Sequence, residues 1–313
     1  MSDSVTIKAK TLSNRLSLTF IVAMLAACSS GSAHAEPDVG TYAVVTSTSD
    51  IVLPLDGYRL SNLEYLNIQR AVWRLNGACL ERFGGKYTLP EVAVLTDVPP
   101  FEQANERRYG LFDSESASTF GYGLRPDQKP PGDGKDIAWN PSDAELLLLR
   151  GSAGTNGPNG PRVPSDHQGN PLPADGCGGE STRLLAKGGP SAPADEALAN
   201  KLSVETFRKS EADSRVRDVV GKWADCMVDS GYDYVSIWDP NNFNWPDQVG
   251  EKESATAKAD VACKKKVNLV GVWLAVETAY QKEAIDAHVE ELTAIQKYVK
   301  AKLVNAAKVV SGN

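Results

Sequence analysis

Histidine is nearly absent from this chain: His34, His167 and His288 are the only three in 313 residues. Most imidazole-based metal centres and proton shuttles are thereby excluded. His288 lies in a helix-favouring stretch, but a di-iron carboxylate bundle needs glutamate three positions before its histidine. That position is Ile285. No two cysteines stand as Cys-x-x-Cys, which removes the usual zinc spacing. Gly-x-Ser-x-Gly and Ser-x-x-Lys are missing as well, so the common serine-nucleophile motifs have no place to sit. Ser165-Asp166-His167 has the residue types of a triad, but sequence neighbours cannot face one another as a triad requires. Asp239, Asn241 and Asn244 lack the remaining ligands and the glycine of a calcium loop. No catalytic residue, metal site or cofactor is therefore assigned.

Cations are also short. The formal charge is −7, and phosphate recognition needs clustered lysine and arginine, so nucleic acid is not expected as a partner. The positive residues that open the chain have a different meaning. Lys8, Lys10 and Arg15 precede a mostly apolar run, Leu16 to Ala27. This run is too short to cross roughly 30 Å of hydrocarbon and has the length of a signal-peptide core. It ends in Leu25-Ala26-Ala27-Cys28, similar to the lipobox of bacterial lipoproteins, where the cysteine sulfur receives a diacylglyceryl group. The competing cleavage follows Ala33-His34-Ala35. On the lipobox reading, 1–27 is the signal peptide, Cys28 the lipidation site, and 28–40 a tether. Residues 41–313 are then a helical extracytoplasmic domain on the outer face of the cytoplasmic membrane.

Four cysteines remain in that domain: Cys79, Cys177, Cys226 and Cys263. An even number in an exported chain favours two disulfides, for which three connectivities exist. Cys79–Cys177 with Cys226–Cys263 is preferred, because Cys79 and Cys226 sit in matching stretches. Each is followed by glycine after five positions (Gly84, Gly231) and by tyrosine after eight (Tyr87, Tyr234). Each then pairs with the next cysteine downstream. Asp175 before Cys177 and Asp260 before Cys263 form a weaker echo. The expected fold class is mainly α: a disulfide-stapled helical domain with two cysteine-linked halves, about 41–190 and 191–313.

Along the chain, Thr41 to Leu53 alternates loosely and reads as a strand or extended segment. Ser61-Asn62-Leu63-Glu64 is a capping box opening a helix. Leu63, Ile68, Ala71, Val72, Leu75, Cys79 and Phe83 recur at helical spacing along it. Residues 86–200 form a long loop-rich insertion, rich in proline and glycine, with short helices at Phe101–Tyr109 and Pro141–Arg150. Asn140 is the expected cap of the second. A helix follows over Ala212–Ser230. Ser254 to Val310 lacks proline and favours helix throughout, giving a long C-terminal helix. Ile285, His288, Leu292, Ile295 and Val299 fall on a seam there, a surface suited to partner contact. The acids Asp225, Asp229 and Asp233, the pair Glu290-Glu291 and the run Lys264-Lys265-Lys266 read as solvated faces.

Tyr232, Tyr234, Trp238, Phe243 and Trp245 make an aromatic loop after Gly231. It is the best candidate for ligand recognition, against the simpler reading that Tyr232, Tyr234 and Trp238 cover the cysteine helices. Trp245, between Asn244 and Pro246, is the ring expected to be most exposed.

A resemblance rests on Pro54-Leu55-Asp56-Gly57-Tyr58, Cys79-Leu80-x-x-Phe83-Gly84, Arg107-Arg108-Tyr109-Gly110-Leu111, Gly176-Cys177, Trp223-x-x-Cys226-Met227 and Asp260-x-x-Cys263. These segments resemble those of secreted lipoproteins of actinobacteria with paired cysteine-helix motifs. The resemblance implies a lipid-anchored envelope protein, in some cases associated with transport systems, and its motifs are structural. The expected function is that of an accessory or binding protein with an envelope-protein or cell-wall partner. The alternatives are a cell-envelope hydrolase using scattered carboxylates such as Glu102 or Glu106, and a purely structural envelope protein.

Overall fold

The computed structural model describes residues 35–88, 105–126, 141–151, 164–246 and 248–312. Pro37–Asn313 forms one compact unit. The signal segment and Cys28 lie outside the described residues, as do His34 and Glu102.

Helix α1 (Asn62–Arg82) starts at the expected capping box. The Ser61 hydroxyl accepts from the Glu64 N–H at 3.2 Å, and the Glu64 carboxylate accepts from the Ser61 N–H at 2.9 Å. Then follow α2 (Ser114–Thr119), α3 (Asp143–Arg150), α4 (Gly176–Ala186) and α5 (Leu198–Ala212). The second half carries α6 (Ser214–Asp229), α7 (Trp238–Asn241), α8 (Glu251–Lys266), α9 (Leu269–Ala287) and α10 (Val289–Ser311). No strand occurs among the described residues, only an isolated bridge between Ser165 and Pro171. The fold is mainly helical, as the sequence implies.

Both disulfides are the preferred ones, with Cα–Cα distances of 5.6 Å for Cys79–Cys177 and 5.7 Å for Cys226–Cys263. They close separations of 98 and 37 residues, for which loop entropy gives upper figures of about 4.7 and about 4 kcal/mol. The matching stretches end in the same way. Gly84 and Gly231 take φ of +79° and +89°. The next N–H in each, from Gly85 and from Tyr232, reaches back to the carbonyl of Leu80 and of Met227. Each is a Schellman ending, which needs a residue without a Cβ clash at that glycine. The likeness stops there. Cys177 lies at the start of α4 and Cys263 near the end of α8. Asp175 is exposed and paired with Arg183, whereas Asp260 is fully buried.

The described residues form five hydrophobic clusters, three of which bear on the disulfides and the seam. Around Cys226–Cys263, Val216, Val219, Trp223, Met227, Val270 and Trp273 join α6, α8 and α9. A second core sets Leu55, Ala199 and Leu202 against Leu292 and Ile295 of α10. Cys79, Leu80, Leu148, Leu172 and Cys177 form a third. α10 packs along α1 and α4, and α9 packs on α5 and α6.

Several local expectations are corrected. Thr41 to Leu53 is not a strand. It is an irregular strap with one 3-10 turn at Thr48–Asp50, held by the Asn268 side chain donating to the Ala43 carbonyl at 3.1 Å. The proline-free stretch after Ser254 is three helices. Asn268 breaks it in the left-handed region (φ 54°), which asparagine tolerates, and His288 ends α9. α10 is nonetheless a 23-residue C-terminal helix. Asn105–Tyr109 is a turn, residues 101–104 lying outside the described residues. Ser142 caps α3 in place of Asn140, since Glu145 completes a capping box with it. On α1, Leu63 is exposed.

Candidate binding site beside the aromatic loop

The loop after Gly231 lies over the Cys226–Cys263 core. Tyr232, Tyr234 and Trp238 are half-buried and pack against it. Trp245 is not the exposed ring: it stacks on Tyr122, with centroids 5.9 Å apart and planes 8° apart, and donates to the Pro240 carbonyl at 2.8 Å. Phe243 is the ring that faces solvent, 51% exposed. An indole flanked by polar residues finds an acceptor and a partner ring, which sequence neighbours do not reveal.

Trp238 belongs to a different group of rings. It meets Trp273 edge to face at 6.4 Å and 72°, and Trp273 stacks on Phe207 at 5.5 Å. Beside this corner lies a cavity of about 330 Å³, at the lower end of the range for small-molecule sites. Val216, Val220, Val235, Ile237, Trp238 and Trp273 give it an apolar lining, with Glu211, Arg217 and Ser236 among its polar residues. The Trp238 Nε1 donates to Glu211 at 2.9 Å, and the Trp273 Nε1 donates to the Ser210 hydroxyl at 2.9 Å. Both indoles are thus fixed by their N–H groups. Gly221, in the middle of α6, also lines the cavity, and a Cβ added there would meet nothing within 4 Å.

The inner side of the loop rests on a buried charge pair. Lys264 and Asp260, one turn apart on α8, are both fully buried, 3.1 Å from each other. Lys264 is therefore not part of a solvated face. Its ammonium also donates to the Leu111 carbonyl at 2.9 Å. The Trp223 Nε1 donates to Asp260 at 2.9 Å and the Tyr122 hydroxyl at 3.4 Å. Burial pushes the Asp260 carboxyl up and the Lys264 ammonium down, and each opposes the shift of the other. Gly110, with φ +78°, leaves the space between Lys264 and the side chains of Ile237 and Trp238. A side chain there would collide with the ammonium, so this glycine seats the loop.

Of the carboxylates read as hydrolase candidates, the described one, Glu106, is engaged. Glu106 is buried and forked by Arg125. Arg108 pairs with buried Glu277, which also accepts from the Tyr109 hydroxyl at 2.9 Å. Arg107 reaches the Gly123 carbonyl at 2.8 Å. Asp166 is buried within its own turn, accepting from the Asn170 N–H at 2.8 Å, and Ser165 and His167 are exposed. Asp225, Asp229 and Asp233 lie on the surface. Among the described residues no cluster of three or more His, Cys, Asp or Glu is arranged to hold a metal ion.

The candidate seam is covered from within. Leu292 and Ile295 are buried against Leu55, Ala199 and Leu202, with Ile285 and Val299 beside them, and His288 stands near Glu291 at 3.8 Å. Of the five rings proposed for recognition, only Trp238 lines the cavity. Glu211, Gly221 and Trp273 were missed, because they come from three helices. The unexplained glycine inside α6 is the one signal that could have pointed there.

No family model matches the chain, and no curated protein or solved structure matches it either. Among the described residues, no helix is long and apolar enough to cross a membrane.

Proposed function

We propose that this chain is a non-catalytic binding protein of the bacterial cell envelope, lipid-anchored through Cys28 and held on the outer face of the cytoplasmic membrane. The observation that carries the binding role is the preformed cavity at Trp238 and Trp273, whose rings are fixed before any ligand arrives. Preorganised apolar concavity with a few polar groups is what small-ligand recognition requires. The two disulfides favour an oxidising compartment, and the charged, apolar and small residues ahead of Cys28 supply the signal for lipidation at that cysteine. With the α10 seam spent on the internal core, any contact with an envelope partner falls on another surface.

A hydrolase is less well supported, since five of the six buried acids among the described residues, Glu106, Asp166, Asp213, Asp260 and Glu277, each pair with a cation. A purely structural role would leave the cavity without a purpose. Metabolic labelling with a fatty acid, together with membrane fractionation, tests the anchor. Cys28→Ala is expected to lose both the label and membrane retention; a retained label would refute lipidation at this residue. Crosslinking in intact cells followed by mass spectrometry is expected to trap the chain with other envelope components. Crosslinks confined to the chain itself would count against the accessory role.

A further inference from the structure

We propose that the Trp238 cavity takes a compact organic cation, of the size and chemistry of a substituted ammonium. The proposal deepens the binding role and rests on it. Aromatic faces attract a positive charge through their quadrupole, and tryptophan does so most strongly. Trp238 supplies that face here: Trp273 is 1% exposed, packs against Tyr109 and Phe207, and backs Trp238 edge to face at 72°. The Trp238 Nε1 holds one oxygen of the Glu211 carboxylate at 2.9 Å, so an anionic group is fixed beside that ring. The valines and Ile237 supply apolar contact for the methyl or methylene groups such a cation carries.

Two features sharpen the choice. The one cationic residue of the lining, Arg217, is turned to the end of α5, where its Nε donates to the Ala212 carbonyl at 2.8 Å. Its Nη2 donates to the same carbonyl, so this guanidinium is already engaged. Gly221 is the second feature. A glycine inside a helix costs stability relative to alanine. This one faces open space in the cavity wall, so bulk is absent where packing alone would allow it.

The test uses the full mature chain with two water-soluble probes of the same shape. One is (2-hydroxyethyl)trimethylammonium, and the other is its uncharged carbon analogue, 3,3-dimethylbutan-1-ol. Binding is read by calorimetry and by shifts of the Trp238 and Trp273 indole N–H resonances. The cation should bind about tenfold more tightly than the neutral analogue, the ratio expected from a cation–π and carboxylate contact. Glu211→Gln should remove most of that ratio, and Gly221→Phe, checked for an unchanged helical signal, should abolish binding of both probes. Equal binding of the two probes, or indifference to Glu211→Gln, overturns the cation assignment. If only the neutral analogue binds and Gly221→Phe blocks it, the cavity is a binding site of another class and the binding role survives. If neither probe moves the indole resonances, the cation assignment is wrong, while the cellular crosslinking still decides the binding role independently.

Discussion

Alanine should act with opposite sign at two helical glycines. Gly271 sits in the first turn of α9, directly under the strap. A Cβ there would fall on the Ala43 carbonyl oxygen and on the Asn268 side chain, far closer than van der Waals contact allows. The strap would have to shift by on the order of 1 Å to restore normal separation. That shift loses the Asn268–Ala43 hydrogen bond, worth about 1 kcal/mol. It also loosens Val45, now 7% exposed in the main core, whose full burial contributes on the order of 1.5–2 kcal/mol. Relief of the glycine's backbone entropy offsets roughly 0.5–1 kcal/mol. The net expectation for Gly271→Ala is a loss of about 1–3 kcal/mol, in the range typical of overpacking. At Gly221, where nothing lies within 4 Å, alanine should gain roughly 0.5–1 kcal/mol. Urea unfolding of the oxidised protein measures both, and hydrogen exchange over 43–46 locates the disturbance. A stabilised Gly271→Ala variant with an unchanged strap would refute the close approach.

Other outcomes follow from the buried charges. Lys264→Met strands the Asp260 carboxylate and should cost about 3–5 kcal/mol, most of it recovered when Asp260→Asn is added. A loss under about 1 kcal/mol for the single variant would show that the pair contributes little. Asp213, fully buried, caps α6 and accepts from Arg215 through two bonds at 2.7 and 2.8 Å. Burial pushes its carboxyl up, but the Arg215 guanidinium and backbone N–H outweigh this and hold it below the ordinary carboxylate range. A depressed folded-state pKa gives stability that is present above about pH 4 and is lost as pH falls through the folded value. Asp213→Asn should therefore be less stable near pH 7 and show a shallower decline on acidification. An identical acid profile for the two proteins would remove Asp213 from the account.

The chain order of cysteines, the capping box at Ser61 and the glycines that end the two cysteine helices were legible without coordinates. Each depends on residues close in sequence or on a rule about compartment, so local chemistry suffices. The disulfide pairing was legible for the same reason, through the repeated spacing around Cys79 and Cys226. The cavity was not. Glu211, Gly221 and Trp273 come from separate helices, and only the packing of α5, α6 and α9 brings them to Trp238.

The same division explains the reversals. Lys264 stands in a run of three lysines, and nothing nearby distinguishes the one that faces Asp260 and the Leu111 carbonyl. Trp245 looks exposed until Tyr122, from more than a hundred residues earlier, stacks on it. The seam is broken at His288, with Ile285 on α9 and only Leu292, Ile295 and Val299 on α10, and what covers it was settled by Leu55, Ala199 and Leu202. Periodicity fixes which face of a helix is apolar; the choice between an internal neighbour, a partner or a ligand for that face is made by long-range packing.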